Sequence, residues 1–310
     1  MTGLSREQVM TRELQGDVLA AAGPPRDATM ARHGMAASVH PFVSDTAIEI
    51  MRAGGNAIDA AVAAAAMLMV VEPRNGHLGG DTFMLFNDPR SGRIVALNGS
   101  GAAPQAATAA HYRALGGFPE DGLLTSTVPG TLHCWQMALE QHGTKALDTL
   151  LEPATWYAEH GVPVTNRIHR MLTLDAPNWL KFPDTARALL PDGAVPPVGG
   201  TFRQPLLAET LRRIAQDGAR DFYRGRLAGE LVSYSQEHGG LFSAEDFAGH
   251  QTEEREPIRI DYRGYTVYEQ PPVSQGIIVL LALNILQQFD LQRYGPGSAE
   301  VVHLQIEALK

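Results

Sequence analysis

The longest apolar run in the chain covers residues 60–71, AAVAAAAMLMVV, and contains no charged or polar position. Asn56 precedes the run as a helix N-cap, and Asp59 lies three residues later, where its carboxylate can accept a bond from the cap. A helix that is apolar on every side is buried in a protein core or in a membrane. Glu72 and Pro73 end the run after about 15 helical residues, whereas a membrane span needs about 20. The pattern therefore predicts a buried core helix.

Two short runs with the composition of β-strands follow this helix. They cover residues 82–86 (TFMLF) and 93–97 (RIVAL), and residues 87–92 (NDPRSG) between them are typical of a turn. We therefore predict a hairpin. Residues 76–80 (GHLGG) join it to the core helix, and their glycines allow a close approach of the backbone to a ligand or to a facing sheet.

The remaining hydrophobic pattern predicts a mixed α/β chain that is rich in helix. The predicted helices cover residues 6–21, 44–53, 106–116, 132–141, 150–160, 206–217, 226–237, 277–289 and 298–310, with a capped helical turn at 243–247. The predicted strands cover residues 34–39 and a second hairpin, 258–262 with 265–268, and a strand end with a turn is expected at 125–130. Residues 162–200 contain many prolines, which predicts a mostly irregular surface excursion.

Charge and composition narrow the function classes. The net charge is −9 and no Lys/Arg-rich block occurs, which argues against a nucleic-acid partner. Hydrophobic residues make up 44% of the chain, which is ample for a core, and 310 residues could form one large domain or two. We predict one domain over 1–310, with an N-terminal extension at 1–34. The N-terminal residues lack the apolar segment of a secretory signal, so we predict a cytoplasmic protein without membrane association.

The side chains that most often carry chemistry give few signals on their own. Cys134 is the only cysteine, and its helical surroundings predict a buried structural thiol instead of a nucleophile. The eleven histidines include no i, i+4 pair, and His33 and His40 are more typical of surface or core positions than of a metal site. The chain contains no Gly-x-Ser-x-Gly elbow, no P-loop and no HExxH motif. We predict no cofactor and no metal.

The order of several segments resembles a known family. The stretch GGNAIDAAVAAA, then VVEP, LGGDTFML and an Ala-Pro pair that ends at Pro104, is similar to the large-subunit half of the gamma-glutamyltransferase family. Later segments continue the resemblance in the same order, among them LEPATWYAEHGVPV, QPLLAETLRRIAQDGARDFYRG, PPVSQG and HLQIEALK. Within the family, the resemblance points to the acylase-like or oxamate-amidohydrolase-like branch.

The resemblance implies a fold and a separate role for each of two subunits. The fold would be α+β, the four-layer αββα sandwich of N-terminal nucleophile (Ntn) hydrolases, incomplete without the small subunit. In the family, self-cleavage exposes a threonine as the first residue of the small subunit; its hydroxyl is the nucleophile and its own amine is the base. That threonine is expected beyond Lys310, so no catalytic residue is assigned in this chain, which would be inactive alone. Its partner would be its own C-terminal small subunit, and a higher oligomer stays open.

The resemblance also points to candidate substrate-binding residues, Ser100, Asn98 and Asp81. The family usually has an arginine four residues before the Pro of its Ala-Pro pair, where it grips the α-carboxylate of the substrate, but this chain has Ser100 there. A hydroxyl offers one neutral hydrogen bond, worth about 1 kcal/mol, whereas loss of a buried charged pair costs about 2–5 kcal/mol. Either another arginine substitutes, the candidates being Arg74, Arg90, Arg93 and Arg113, or the acyl group is not a glutamyl group.

Asp81 and Asn98 could each serve either substrate binding or the local turn. Relatives have a further glycine where this chain has Asp81, so this residue could bond near the active threonine or simply cap the turn. The segment 98–101 (NGSG) can be a tight turn, part of the pocket, or both. Three functions follow: hydrolysis of a small amide through an acyl-enzyme, gamma-glutamyl transfer or glutathione hydrolysis with a substitute carboxylate anchor, or a non-catalytic chain that binds a small molecule or partner.

Overall fold

The structure is a computed structural model that describes residues 28–190 and 193–310. Residues 36–310 form one compact unit, and every element below belongs to it. The predicted helix at 6–21 lies outside the described residues. The prediction of one domain over 1–310, with 1–34 as an extension, therefore stays a prediction.

The buried helix predicted first is present with the predicted caps. It is α2, Ala57–Val71, and it follows α1, Pro41–Arg52. The Asn56 carboxamide accepts from the backbone N–H of Asp59, and the Asp59 carboxylate accepts from the N–H of Asn56, which completes the capping box. Ala63, Ala66 and Met67 have no exposed surface. The helix is therefore part of the core.

The start of α1 corrects two predictions. Residues 34–39 form no strand, because an extended segment needs a partner ladder and none of the described strands pairs with them. The helix begins at Pro41 instead of Ser44, since the ring of proline suits the first helical position. The Nδ1 atom of His40 accepts from the N–H of Phe42 at 3.3 Å and caps this end.

The first predicted hairpin is confirmed and belongs to a three-stranded sheet. Strands β1, Phe83–Asp88, and β2, Arg93–Asn98, pair in antiparallel register from Phe83 opposite Asn98 to Asp88 opposite Arg93. A third strand, Glu253–Arg255, pairs with the far edge of β2. The sequence predicted no strand there, because the segment EER has no apolar alternation and is extended only through its pairing.

Helices cover most of the remaining chain. They are α3, Ala109–Ala114; α4, Thr131–His142; α5, Leu147–His160; α6, Asn166–Trp179; α7, Pro183–Leu189; α8, Pro205–Arg224; α9, Arg226–Glu237; and α10, Ala244–Ala248. A 3₁₀ turn, Leu123–Thr125, occupies part of the region where a strand end was predicted. Helix α8 continues through the predicted turn at 218–225 with a break at Gly218, whose φ is 71°. Glycine adopts this left-handed conformation without a steric penalty.

Residues 162–200 are more regular than predicted. They contain α6, α7 and the short strand β3, Val162–Pro163, which pairs with β4, Thr201–Phe202. Pro177 lies near the C-terminal end of α6, and Pro183 is the first residue of α7, so neither proline prevents a helix. Ile168 and Leu172 on α6 are fully buried. The prediction of irregular structure was therefore wrong for most of this region.

The main core lies between α2 and the helices around it. Helix α2 packs on α1 and α5, and α5 packs in turn on α8. The largest side chains buried there include Trp135, Phe202 and Phe247. This core contains α4, whose first residue forms part of the candidate site.

The C-terminal part has its own small core. After β5, Glu253–Arg255, the second predicted hairpin is confirmed as β6, Ile258–Tyr262, with β7, Tyr265–Glu269. Helices α11, Gly276–Leu286, and α12, Ala299–Leu309, follow and pack on each other through Ala282, Leu286 and Ala308. Helix α11 ends before the predicted limit of residue 289.

Candidate functional site

The candidate site lies where three backbone segments meet, residues 79–82, 98–101 and 128–131. The carbonyl oxygen of Gly80 accepts from the N–H groups of Gly130 and Thr131, both at 3.0 Å, and from the Thr131 hydroxyl at 2.8 Å. The N–H of Gly99 donates to the carbonyl oxygen of Thr82 at 2.9 Å. The glycine turn, the end of β2 and the start of α4 are therefore fixed to one another.

Two glycines make this close approach possible. A Cβ atom added at Gly101 would lie 1.6 Å from the carbonyl oxygen of Val128, and one added at Gly130 would lie 1.8 Å from the carbonyl oxygen of Gly99. No side chain fits either position without a shift of backbone. Gly101 and Gly130 thus allow contact between backbone segments.

The structure brings the three predicted substrate-binding residues together. The Asp81 carboxylate accepts from the Ser100 hydroxyl through Oδ2 at 2.8 Å and from the N–H of Gly101 through Oδ1 at 3.0 Å. The Oδ1 atom of Asn98 accepts from the N–H of Ser100 at 3.0 Å. Asn98 is buried, Ser100 is half-buried and Asp81 is exposed. The cluster therefore presents a fixed carboxylate to solvent.

None of the candidate substitute arginines reaches this cluster within the described residues. Arg74 pairs with Asp175 at 3.0 Å, and Arg93 pairs with Glu254 at 3.4 Å. Arg90 bonds to Asp88 and to the carbonyl oxygen of Gln141. Arg113 lines a separate cavity of 440 Å³ beside α3, together with Ala109, Tyr112, Gly116, Gly117 and Phe118.

A buried aromatic group, which the sequence did not predict, packs close to the cluster. The ring of His250 stacks on Tyr223 with 5.4 Å between centroids, and it meets the edge of His133 at 5.3 Å. The Tyr223 hydroxyl accepts from the N–H of His133 at 3.1 Å and donates to the carbonyl oxygen of Pro129 at 2.8 Å. These side chains come from α4, α8 and the segment after α10, and no spacing in the sequence links them.

Burial keeps the histidines of this region neutral. Desolvation lowers the pKa of His250 to about 4, with a further contribution from His133, while the charge of Asp81 acts in the opposite direction. Desolvation also lowers the pKa of His77, again against the charge of Asp81. The Nε2 atom of His250 is buried and has no partner in the described part of the chain. At neutral pH, therefore, neither of these two rings places a positive charge beside Asp81.

Other side chains with possible chemistry serve structure. Cys134 is fully buried on α4, as predicted, and desolvation raises the pKa of its thiol to about 12. His40 caps α1 and His33 is exposed. The described ranges hold no group of three or more metal-ligating side chains. Within the same ranges, no helix has both the length and the apolar content that crossing a membrane requires.

Comparison with known proteins gives this geometry a family context. A sequence profile described as Gamma-glutamyltranspeptidase matches residues 43–310. The glutathione hydrolase-like YwrD proenzyme of Bacillus subtilis (strain 168) is 38% identical over 277 residues, which are 89% of this chain and 53% of that protein. The chain spans about half the length of the curated relatives it matches.

Solved structures agree with the sequence comparison. The crystal structure of Helicobacter pylori gamma-glutamyltranspeptidase is similar with a TM-score of 0.85 and 32% identity, over 91% of this chain and 83% of that chain. The crystal structure of cephalosporin acylase from Bacillus halodurans is similar with a TM-score of 0.83 and 35% identity, over 92% of this chain and 56% of that chain. The predicted fold class, α+β of the Ntn-hydrolase type, is confirmed. The chain therefore belongs to the gamma-glutamyltranspeptidase family.

Proposed function

We propose that this chain is the large-subunit part of a self-cleaving amidohydrolase, and that Asp81, Asn98 and Ser100 form a wall of its acyl-binding pocket. The reaction would cleave a small amide through an acyl-enzyme on a threonine supplied by a segment outside residues 1–310. The observation that carries the proposal is the bonded group of Asp81, Ser100 and Asn98, in a chain of this family, at the position where the resemblance implies a substrate anchor.

The chemistry of the group favours an acyl part other than glutamyl. A guanidinium binds a carboxylate through two charged hydrogen bonds, and neither Ser100 nor any of the four candidate arginines supplies such a group here. We therefore place hydrolysis of a non-glutamyl amide first. The name of the Bacillus subtilis relative, glutathione hydrolase-like, favours gamma-glutamyl transfer or glutathione hydrolysis as the second candidate.

An exposed apolar surface supports a partner subunit. Phe83 and Leu85 point from the same face of β1 and are exposed, and so are five apolar residues of α11: Ile277, Ile278, Val279, Leu281 and Ile285. Apolar patches of this kind mark interaction sites in soluble proteins. We propose that the chain's own small subunit covers them after self-cleavage. A single large-subunit domain, a cytoplasmic location, a higher oligomer and the absence of a cofactor remain part of this proposal.

The pocket assignment is tested with the complete protein and gamma-glutamyl-p-nitroanilide. Because Asp81 accepts from the Ser100 hydroxyl, an arginine at position 100 would pair with Asp81 and be neutralised. The decisive variant is therefore Ser100→Arg combined with Asp81→Asn. We expect kcat/KM for this substrate to rise by about tenfold or more, since a charge-assisted pair forms with the α-carboxylate.

The matched control is Ser233→Arg, which places the same charge on the exposed surface of α9. It should leave kcat/KM unchanged. An unchanged rate in the double variant would contradict the assignment of Ser100 to the pocket. A complete protein that turns over no anilide and does not cleave itself would favour the third hypothesis, a non-catalytic binding chain.

A further inference from the structure

We infer that Asp81 makes the acyl pocket select substrates that end in a positively charged nitrogen and reject those that end in a carboxylate. The inference rests on the proposed function, because it takes Asp81 as part of the acyl-binding wall. It extends that function by assigning the substrate class, an ω-amino acyl amide, and the residue that sets the specificity.

The first support is the fixed position of the Asp81 carboxylate. Its two oxygens each accept one hydrogen bond, from the Ser100 hydroxyl at 2.8 Å and from the N–H of Gly101 at 3.0 Å. A carboxylate oxygen has a second lone pair, so each remains able to accept from a ligand. The carboxylate is oriented before a ligand arrives, which lowers the entropy cost of binding.

The second support is the rigid backbone beneath the carboxylate. The Gly101 and Gly130 positions leave no room for a Cβ atom, so the segment that carries Ser100 cannot move away from residues 128–131 without loss of backbone contacts. Asp81 itself belongs to residues 79–82, which are held to the same place because the Gly80 carbonyl oxygen accepts from Gly130 and Thr131. The Asp81 carboxylate therefore has the fixed position that a ligand-binding group requires.

The third support is the absence of a positive partner in the described ranges. Asp81 forms no ion pair there, although twelve pairs of Lys or Arg with a carboxylate occur elsewhere in the same ranges. The nearby His250 and His77 are neutral at neutral pH, because burial lowers the pKa of each ring. The negative charge is therefore free to interact with a ligand.

The fourth support is an unsatisfied polar atom beside the cluster. His250 is 8% exposed, and its Nε2 atom lacks a hydrogen-bond partner in the part of the chain that the structure describes. Buried polar atoms without partners are rare in native proteins and call for a ligand, a water molecule or a functional role. The ring is close enough for the charge of Asp81 to act on its pKa. Both groups therefore belong to one polar region.

Electrostatics then decides which acyl group fits. A substrate carboxylate placed against Asp81 would meet a like charge, and such contacts cost several kcal/mol when water is excluded, about enough for a hundredfold change in affinity. An ammonium group would instead form charge-assisted hydrogen bonds with the free lone pairs of Asp81. The site thus prefers an acyl group that ends in an ammonium, whereas an arginine anchor prefers one that ends in a carboxylate.

Three anilides of the same length test this preference in the complete protein. Gamma-glutamyl-p-nitroanilide carries both an ammonium and a carboxylate at its end, 4-aminobutyryl-p-nitroanilide carries only the ammonium, and glutaryl-p-nitroanilide carries only the carboxylate. After subtraction of the uncatalysed rates, kcat/KM should be highest for the 4-aminobutyryl compound and lowest for the glutaryl compound. We expect their ratio to be about tenfold or more.

The variant Asp81→Asn separates charge from shape. Asparagine keeps the size of the side chain and one acceptor oxygen but removes the negative charge, so the ratio should fall to about one to threefold. Asp217→Asn is the matched control, because Asp217 is exposed on α8 and forms no ion pair in the described ranges. It should keep the ratio of the unmodified protein. A ratio that favours the glutaryl compound, or one that Asp81→Asn leaves unchanged, would overturn the inference.

A binding measurement covers the case in which none of the three anilides is cleaved. Saturation-transfer NMR on the complete protein would compare 4-aminobutanamide with glutaramate, the monoamide of glutaric acid. Preferential binding of 4-aminobutanamide that is lost in Asp81→Asn would support the charge selection even though amide hydrolysis had failed. Equal binding of the two probes, or no binding of either, would overturn it. Failure of the substrate class and failure of the enzyme reaction are thus distinguishable.

Discussion

At the scale of single residues, the candidate site depends on glycines, whose lack of a side chain allows backbone segments to touch. Gly101, which follows Ser100 in the chain, lies against the backbone of Val128 with no space for a Cβ atom. Sequence reasoning identified a Gly-rich turn at 98–101 but could not show which backbone lies against it. Contact between segments about 30 residues apart depends on tertiary structure, and turn composition alone does not reveal it.

Replacement of Gly101 by alanine should therefore destabilise the protein. The new Cβ atom would lie 1.6 Å from the carbonyl oxygen of Val128, so backbone must shift. We expect Gly101→Ala to lower the free energy of unfolding by about 1–3 kcal/mol, measured from urea denaturation.

The control is Gly229→Ala on the exposed surface of α9, where a Cβ atom meets nothing within 4 Å. Because alanine favours the helix over glycine, this change should be neutral or stabilise by up to about 1 kcal/mol. Equal stability of Gly101→Ala and the unmodified protein would contradict the packing described for the site.

At the scale of elements, helix α2 shows which predictions a sequence supports well. Its limits follow from a local capping box and a continuous apolar run, and both lie within the helix itself. The strand predicted at 34–39 and the missed strand β5 are different cases, because a strand exists only where another segment supplies its hydrogen bonds. Elements that depend on a distant partner were therefore predicted less well than those that carry their own signals.

The Asp59 cap also fixes α2 to the loop before α5, and this gives a pH prediction. Its carboxylate accepts from the N–H groups of Asn56, Thr144 and Lys145 at 2.8, 2.8 and 3.1 Å. Burial alone would raise the pKa of Asp59, but these bonds and that of the Thr144 hydroxyl outweigh it and hold the pKa below its ordinary value of 3.8.

The stabilisation from Asp59 should be present above pH 3.8, the ordinary pKa of the unfolded chain, and be lost as the pH falls through the lower pKa of the folded protein. At neutral pH, Asp59→Asn should lower the free energy of unfolding by about 1–3 kcal/mol. The difference from the unmodified protein should shrink in acid, as measured by urea denaturation across this range. Asp45→Asn, at an exposed position of α1, is the control and should show little effect at any pH. A constant difference across the range would contradict the role of the charge.

At the scale of the whole molecule, the arrangement of layers came from the family resemblance and not from the hydrophobic pattern. The pattern alone predicted a mixed α/β chain. The described strands form one sheet of three strands and two sheets of two strands each. Apolar residues of β1 and α11 are exposed in the described part of the chain. They become consistent with the fold when a second subunit lies against them, as we propose. Ser100 and Asp81, the two positions at which the sequence departs from the family, are joined by a hydrogen bond in the structure.

The central claim is that this chain is one half of an enzyme that cleaves itself before a threonine. The most direct test is to express the complete open reading frame, follow the purified protein by denaturing electrophoresis and sequence the N-terminus of any smaller fragment. We predict two fragments, the larger containing residues of this chain and the smaller beginning with threonine, and a single uncut product when that threonine is replaced by alanine. An uncut product from the unmodified gene, or cleavage that persists after the replacement, would contradict the account.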